Sequence, residues 1–344
     1  MSQNPKRSLV IGDGGWGTAI ALSLHRAGRQ VTLWSHDAGY AAEVAASREN
    51  RKFLPGVEIP AAIRWTADLA EAVDGAAIYY SVVPTQFLRA TIGRFGGALA
   101  DLPAVSASKG LELKTLLRPS EILAEAAGAR AGVAVLSGPS HAEETAHGLA
   151  TTVVAASLDP ALAERVQADL GSASLRIYTG SDLVGVELGG ALKNVIAVAA
   201  GVADGLGLGD NAKAALVDRG LVEMARYGVF RGAERETFFG LSGAGDLMVT
   251  CYSRHSRNRA LGERIGKGET LAQVQASTEK VAEGVWTTQA VHQSALDVGV
   301  EMPITHQLHA ILFEGLDCAA AVKELMLRPH RPELDPAATS SLGS

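Results

Sequence analysis

One segment near the start of the chain, Leu9-Val10-Ile11-Gly12-Asp13-Gly14-Gly15-Trp16-Gly17-Thr18-Ala19, limits the fold more than any other. An apolar run leads into glycines spaced G-x-G-x-x-G, and these open a helical pattern that stops at Gly28. In a strand–turn–helix unit of this kind Gly12 permits the tight turn and Gly14 lets a ligand reach the backbone. Gly17 lets the helix lie close to the strand. The free N–H groups and positive dipole end at the helix start favour an anion there.

The pattern that follows repeats this unit. Ser8 to Ile11, Gln30 to Trp34, Ala76 to Val83, Ala104 to Ser108 and Val133 to Ser137 are short apolar runs separated by helical stretches. Such runs predict buried parallel strands, and Thr151 to Ala156 and Ser174 to Thr179 add two more. The expected class is an α/β N-terminal Rossmann-type doubly wound sheet plus an all-α C-terminal domain. Helical periodicity takes over after about Ser181. Asp182 to Leu206 reads as one long apolar helix, in which Gly185, Gly189 and Gly190 allow close packing. The division expected is residues 1–180 for a dinucleotide-binding domain, 181–328 for a helical substrate and catalytic domain, and 329–344 for a disordered tail. The chain holds 38 glycines in 344 residues, well above the usual share of about 7%, which also points to close backbone approaches.

A formal net charge of −6 and a pI near 5.9 argue against a nucleic-acid or anionic-membrane binder. Any anionic ligand needs a local cluster of donors. Cys251 and Cys318 lack C-x-x-C spacing, so neither a disulfide scaffold nor a metal site is expected, and a reducing compartment fits. Met1 to Ser8 is short and polar, with no visible signal peptide. Cytoplasmic location without membrane insertion is the expectation.

Lys193 lies inside the long apolar helix, where lysine is rarely buried without a partner. Burial lowers its pKa and suits it to proton transfer near neutral pH. A snorkelling side chain, or an ion pair with Glu187 or Asp246, explains it equally well. Ser256-Arg257-Asn258-Arg259 offers hydroxyl, guanidinium and amide groups for a phosphate. Lys109 and the segment Ser137-Gly138-Pro139-Ser140 stand at strand ends, where open α/β sheets bind ligands. Asp246 follows the glycine-rich turn Leu241 to Gly245. At the end of the second strand, Ser35 and His36 favour NADP while Asp37 leaves NAD open.

The strings GDGGWGTA (12–19), NRKFLPGV (50–57), SKGLE (108–112), SGPSHAEE (137–144), GGALKNVIA (189–197), GDNAKAALVDRGLVEM (209–224), GAGDLMVTC (243–251), SRNR (256–259) and VAEGVWT (281–287) occur in this order. Together they resemble the bacterial-type NAD(P)-dependent glycerol-3-phosphate dehydrogenases over nearly the whole chain, from about Leu9 to Leu327. The resemblance implies reversible reduction of dihydroxyacetone phosphate to glycerol 3-phosphate for phospholipid synthesis, with NADPH favoured over NADH, by a cytoplasmic homodimer. It makes Lys193 the proton donor and acceptor, with Lys109 and Asp246 lining the substrate. Gly138, Ser140, Ser256, Arg257 and Asn258 would bind the glycerol phosphate. The dinucleotide would touch Gly12, Gly14, Gly15, Trp16, Gly17, His36, Lys109, Ala142, Arg257, Val281 and Glu283. Asn194 and Asp204 would order the lysine and the helix end. His141 and Ala150 depart from the pattern, standing where phenylalanine and proline are usual. Competing readings are a related reductase acting on ketopantoate or 6-phosphogluconate, and a non-catalytic sensor of the dinucleotide.

Overall fold

The computed structural model describes residues 7–128, 130–278, 282–330 and 332–333. Val281 and, of the tail expected from residue 329, residues 331 and 334–344 therefore lie outside the described residues.

Eight strands form one sheet: β1 (Arg7–Ile11), β2 (Gln30–Trp34), β3 (Arg64–Thr66), β4 (Ala76–Ser81), β5 (Ala104–Ser106), β6 (Val133–Ser137), β7 (Thr151–Ser157) and β8 (Leu175–Gly180). Their spatial order is β3-β2-β1-β4-β5-β6-β7-β8. Neighbours run parallel except β6 and β7. Alternate residues point to opposite faces, so Val10, Leu33, Tyr80 and Val105 build one apolar layer. Leu9, Ile11, Trp34 and Tyr79 build the other. Both faces are covered, which is why the strands read as continuous apolar runs. Chain order reverses between β1 and β4, and the crevice beyond their carboxyl ends is where sheets of this type take ligands.

Two strands are shorter than their apolar runs. The runs expected to Val83 and Ser108 end as strand at Ser81 and Ser106, because the next residues leave the ladder to build loops. Pro84 caps the helix Thr85–Gly93, and Ser108 donates to the Val83 carbonyl at 2.6 Å, tying the two loops together. The three-residue β3 escaped the sequence reading, being too short to show a period.

Beyond β8 the chain is helical. The long helix runs Leu183–Gly205, flanked by Asp182 and Leu206 as caps. Asp182 accepts from the Gly185 N–H at 2.8 Å, the Glu234 N–H at 2.9 Å and the Thr237 hydroxyl at 2.6 Å. Length and composition alone would let this helix cross a membrane, but nearly all of it is buried inside the protein. Leu188, Leu192, Ile196 and Ala200 face one helical cluster, and Val195, Val198 and Val202 face another.

Its tightest neighbour is the helix Arg257–Gly266. A Cβ on Gly201 would stand 2.0 Å from the Arg259 carbonyl oxygen, and one on Gly262 would stand 2.0 Å from that of Val198. Only glycine on both sides lets two backbones approach so closely. Gly262→Ala is therefore expected to lower stability by about 1–3 kcal/mol through overpacking. Gly93→Ala, where no atom lies within 4 Å of the new Cβ, is expected to be neutral or to stabilise by up to about 1 kcal/mol. Equal denaturation midpoints for the two variants would contradict this account of the crossing.

Candidate active site at the carboxyl edge of the sheet

Two adjacent glycines bring the long helix against the sheet edge. A Cβ on Gly190 would stand 2.5 Å from the Ser137 hydroxyl and 3.5 Å from the Lys109 side chain. One on Gly189 would stand 2.8 Å from the Ser242 carbonyl oxygen. Lys193 follows one turn later, buried. It donates to Thr250 Oγ1 at 2.7 Å and to Asp246 Oδ1. The second oxygen of Asp246 accepts from Lys109 Nζ at 2.6 Å. Lys109 also donates to the Gly138 carbonyl at 3.2 Å, which accepts from Ser140 Oγ at 2.9 Å.

The partner of Lys193 is thus Asp246. Glu187, the other candidate, is buried elsewhere against Arg118 at 2.9 Å and the Ser120 hydroxyl at 2.6 Å. Asp246 owes its position to a π-helical turn, Leu241–Gly245, that leads into the helix Asp246–Tyr252. Thr250, four residues on, donates to the Asp246 carbonyl at 2.6 Å and braces this turn. Sequence reasoning passed over Thr250, although its i+4 spacing from Asp246 marks it as a neighbour.

The electrostatics follow from burial. Desolvation is the largest influence on Lys193; Asp246 opposes it, Lys109 reinforces it, and the pKa falls to about 7. Burial would raise the Asp246 pKa, but Lys109 and Lys193 outweigh it and hold the carboxyl below its ordinary value. His141 lies within reach of the same charges. Burial first, and then Lys193, lower its pKa; its Nε2 is buried without a protein partner. The His141 ring centre lies 5.9 Å from that of His255, so the loop after β6 meets the loop before the helix Arg257–Gly266.

At the β1 end, Gly12 adopts φ +117°, and a Cβ there would stand 3.1 Å from Val82 of the β4 loop. A Cβ on Gly17 would stand 2.0 Å from the Gly12 carbonyl oxygen, whereas one on Gly14 meets nothing within 4 Å. The helix Gly15–Arg26 has no side-chain cap on its first N–H groups. A turn packed tightly beneath and open above, with uncapped donors, fits a pyrophosphate. A Cβ on Gly15 would stand 2.9 Å from the Phe53 carbonyl oxygen and 3.4 Å from the Ala142 side chain, which places those segments beside the turn. Asn50 secures the first of them, donating to the Asp13 carbonyl and to Thr18 Oγ1, both at 2.7 Å. Trp16 is half-buried beside them, its Nε1 without a protein partner.

Beyond β2 the structure separates Ser35 from His36. Ser35 is fully buried and donates to Asp13 Oδ2 at 2.5 Å. His36 is exposed, 3.9 Å from Asp13. Asp37 accepts from the Tyr40 N–H at 3.0 Å as the cap of the helix Ala38–Ser47. His36 and Asp37 are exposed, and His36 is the one basic side chain of the three.

The remaining residues close the site from the helical side. Ser256 caps the helix Arg257–Gly266, accepting from the Arg259 N–H at 3.2 Å, and Arg257 is exposed beside it. Asn258 is buried: it donates to Asn194 Oδ1 at 2.9 Å and accepts from the Gly284 N–H at 2.9 Å. It therefore locks three helices together next to Lys193. Asp204 pairs with Lys213 at 2.8 Å and Arg259 at 2.7 Å, which orders the end of the long helix. Glu283 accepts from the Thr85 N–H at 3.2 Å, and burial lifts its pKa to about 7.

Model-level comparison covers both halves. Residues 9–163 match the family described as NAD-dependent glycerol-3-phosphate dehydrogenase N-terminus, and residues 182–323 match the corresponding C-terminus. A glycerol-3-phosphate dehydrogenase [NAD(P)+] of Chlorobium phaeobacteroides is 49% identical over 328 residues, 94% of this chain and 98% of that protein. Its counterpart in Geobacillus kaustophilus is 48% identical over 95% of this chain and 96% of its own. The crystal structure of the glycerol-3-phosphate dehydrogenase of Coxiella burnetii superposes with a TM-score of 0.90 at 38% identity, covering 94% of this chain and 99% of that one. The chain belongs to the NAD-dependent glycerol-3-phosphate dehydrogenase family.

Proposed function

We propose that this protein is an NAD(P)-dependent oxidoreductase that reduces dihydroxyacetone phosphate to sn-glycerol 3-phosphate, reversibly, and so supplies glycerol phosphate for phospholipid synthesis. The observation that carries the mechanism is the buried Lys193, joined through Asp246 to Lys109. Residues 1–180 act as the dinucleotide-binding domain and residues 181–328 as the substrate and catalytic domain, with Lys109, Gly138 and Ser140 reaching across. The protein works in the cytoplasm as a homodimer.

The bound dinucleotide supplies the hydride. Gly12, Gly14, Gly15, Trp16 and Gly17 hold its pyrophosphate, Ala142 and Glu283 border it, and the exposed His36 favours the 2′-phosphate of NADPH. Arg257, with Ser256 and Asn258 at the start of its helix, holds the substrate phosphate. The Lys193 ammonium polarises the carbonyl oxygen and donates a proton to it as the alcohol forms. Asp246 fixes the ammonium in place, and Lys109 keeps a second positive charge near the developing oxyanion. A sensor of the dinucleotide would need only the glycine turn. A buried lysine–carboxylate–lysine chain costs several kcal/mol in desolvation, and chemistry gives a reason to retain it.

Loss of reduced nicotinamide absorbance with dihydroxyacetone phosphate, and not with ketopantoate, is the expected result. No oxidation with either cofactor would end this assignment. Lys193→Met should lower kcat by about 10²–10⁴-fold with KM little changed; turnover within a few-fold of the parent would remove Lys193 from the chemistry. The proton on Lys193 is needed for reduction and is lost above its pKa of about 7. Reduction should therefore slow as pH rises through about 7, while glycerol 3-phosphate oxidation should speed up. Both limbs should vanish in Lys193→Met.

Cofactor choice is tested separately. His36→Asp should cut the NADPH-to-NADH rate ratio by roughly 10-fold, the loss of about one charge-assisted contact. An unchanged ratio would place the choice elsewhere.

A further inference from the structure

Far along the chain from the glycine turn, two helices bring three histidines together. His292 lies on the helix Glu283–Val298, and His306 and His309 on the helix Pro303–His309. Glu314 ends the π-helical turn Ala310–Glu314 that continues the latter helix. Leu308 and Leu312, buried beneath, fix this stretch to the helical core. The wider π-helical turn swings Glu314 back under His309, whose Nδ1 lies 2.8 Å from Glu314 Oε1. The rings of His292 and His309 stack with centres 3.7 Å apart, and the Nδ1 atoms of His292 and His306 are 3.0 Å apart. One ligand atom from each of His292, His309 and Glu314 can be chosen so that all lie within 4.8 Å of one another. Such turns recur at functional sites, and the proposed dehydrogenase chemistry makes no use of this one.

We propose that His292, His309 and Glu314 form a site for a divalent transition metal of the Zn²⁺ class. Two imidazoles and one carboxylate form a borderline donor set that suits Zn²⁺ and disfavours Mg²⁺. The surrounding hydrogen bonds prepare it. His309 Nδ1 and Glu314 Oε1 already lie 2.8 Å apart, so a metal takes the place of the proton between them, and if His292 donates its Nδ1–H to His306 its Nε2 lone pair is left for the same ion. Ligand atoms around a tetrahedral Zn²⁺ lie about 3.3 Å apart, so atoms within 4.8 Å of one another need to approach by at most roughly 1.5 Å. Rotation about the broad χ2 torsions tilts the stacked rings towards the ion, and the exposed Glu314 follows. The bound metal would cross-link the helix that begins at Glu283 and Gly284 to the C-terminal helices. Its role is structural, since it joins helices and uses none of Lys193, Asp246 and Lys109.

The test uses untagged, full-length protein stripped with a chelator, then titrated with Zn²⁺ or Mg²⁺ and analysed for bound metal. Wild type should retain one Zn²⁺ per chain, with a raised thermal midpoint, and should show no response to Mg²⁺. Glu314→Gln should weaken binding about 10-fold, and the double variant His292→Ala/His309→Ala at least 100-fold. Unchanged turnover of the double variant would certify its fold, because neither residue belongs to the catalytic group. No retained Zn²⁺ in wild type would overturn the proposal. So would equal uptake by the double variant, which would direct attention to the His141–His255 pair; zinc there would inhibit turnover.

Discussion

The active end of the molecule is organised by one carboxylate, that of Asp246, shared between two lysines that arrive from different parts of the fold. Lys109 comes from the end of β5 and Lys193 from the middle of the long helix, and both are drawn to the same side chain. Two ammonium groups against one carboxylate leave a surplus positive charge in a water-poor setting, where an oxyanion forming on a substrate would complete the balance. Without Asp246, the buried Lys193 ammonium and the partly buried Lys109 ammonium would lie near each other uncompensated, a costlier arrangement than the triad. The same carboxylate therefore ties the sheet to the helices and opposes the fall that burial imposes on the Lys193 pKa.

Such contacts require backbones to come closer than side chains normally allow. Gly189 and Gly190 admit the π-helical turn and the Lys109 stem against the long helix, and Gly201 and Gly262 admit the crossing helix. The excess of glycine in the composition has this physical origin as much as the phosphate turn. Asn258 then locks the crossing helix and the helix beginning at Glu283 to Asn194, the residue after Lys193. The helix that carries Lys193 is thus held to two neighbouring helices through one buried amide.

Legibility in the sequence tracked the range of the interactions. The strand–turn–helix at Gly12 to Gly17 and the long helix from Asp182 to Leu206 were readable because their signals are local and periodic. The alternatives for Lys193, by contrast, could not be separated until the fold placed Asp246 beside it and turned Glu187 towards Arg118. Ser35 was read together with His36 as favouring NADP, yet its hydroxyl is used by Asp13; polarity at a strand end does not reveal which way a short side chain points. Residues 241–245 looked like an ordinary glycine turn, since a widened helical turn has no compositional signature distinct from a loop. The histidine cluster was invisible for a related reason: its members are spread between positions 292 and 314, and only the packing of two helices gathers them.

The pattern of unsatisfied groups gives the site a further physical meaning. Buried polar atoms are nearly always paired in a folded protein. Here Trp16 Nε1, Thr85 Oγ1, Ser137 Oγ, His141 Nε2 and Glu283 Oε2 all lack a protein partner. Each belongs to a turn or loop at the carboxyl edge of the sheet or to a helix end that meets it. An unpaired buried donor or acceptor costs about 1–3 kcal/mol, so these atoms call for water or a ligand as partner. A ligand that satisfies several at once recovers that free energy on binding, whereas one lacking the matching groups leaves it unrecovered. Discrimination at this edge therefore rests on which polar atoms the fold leaves unpaired as much as on the contacts it completes.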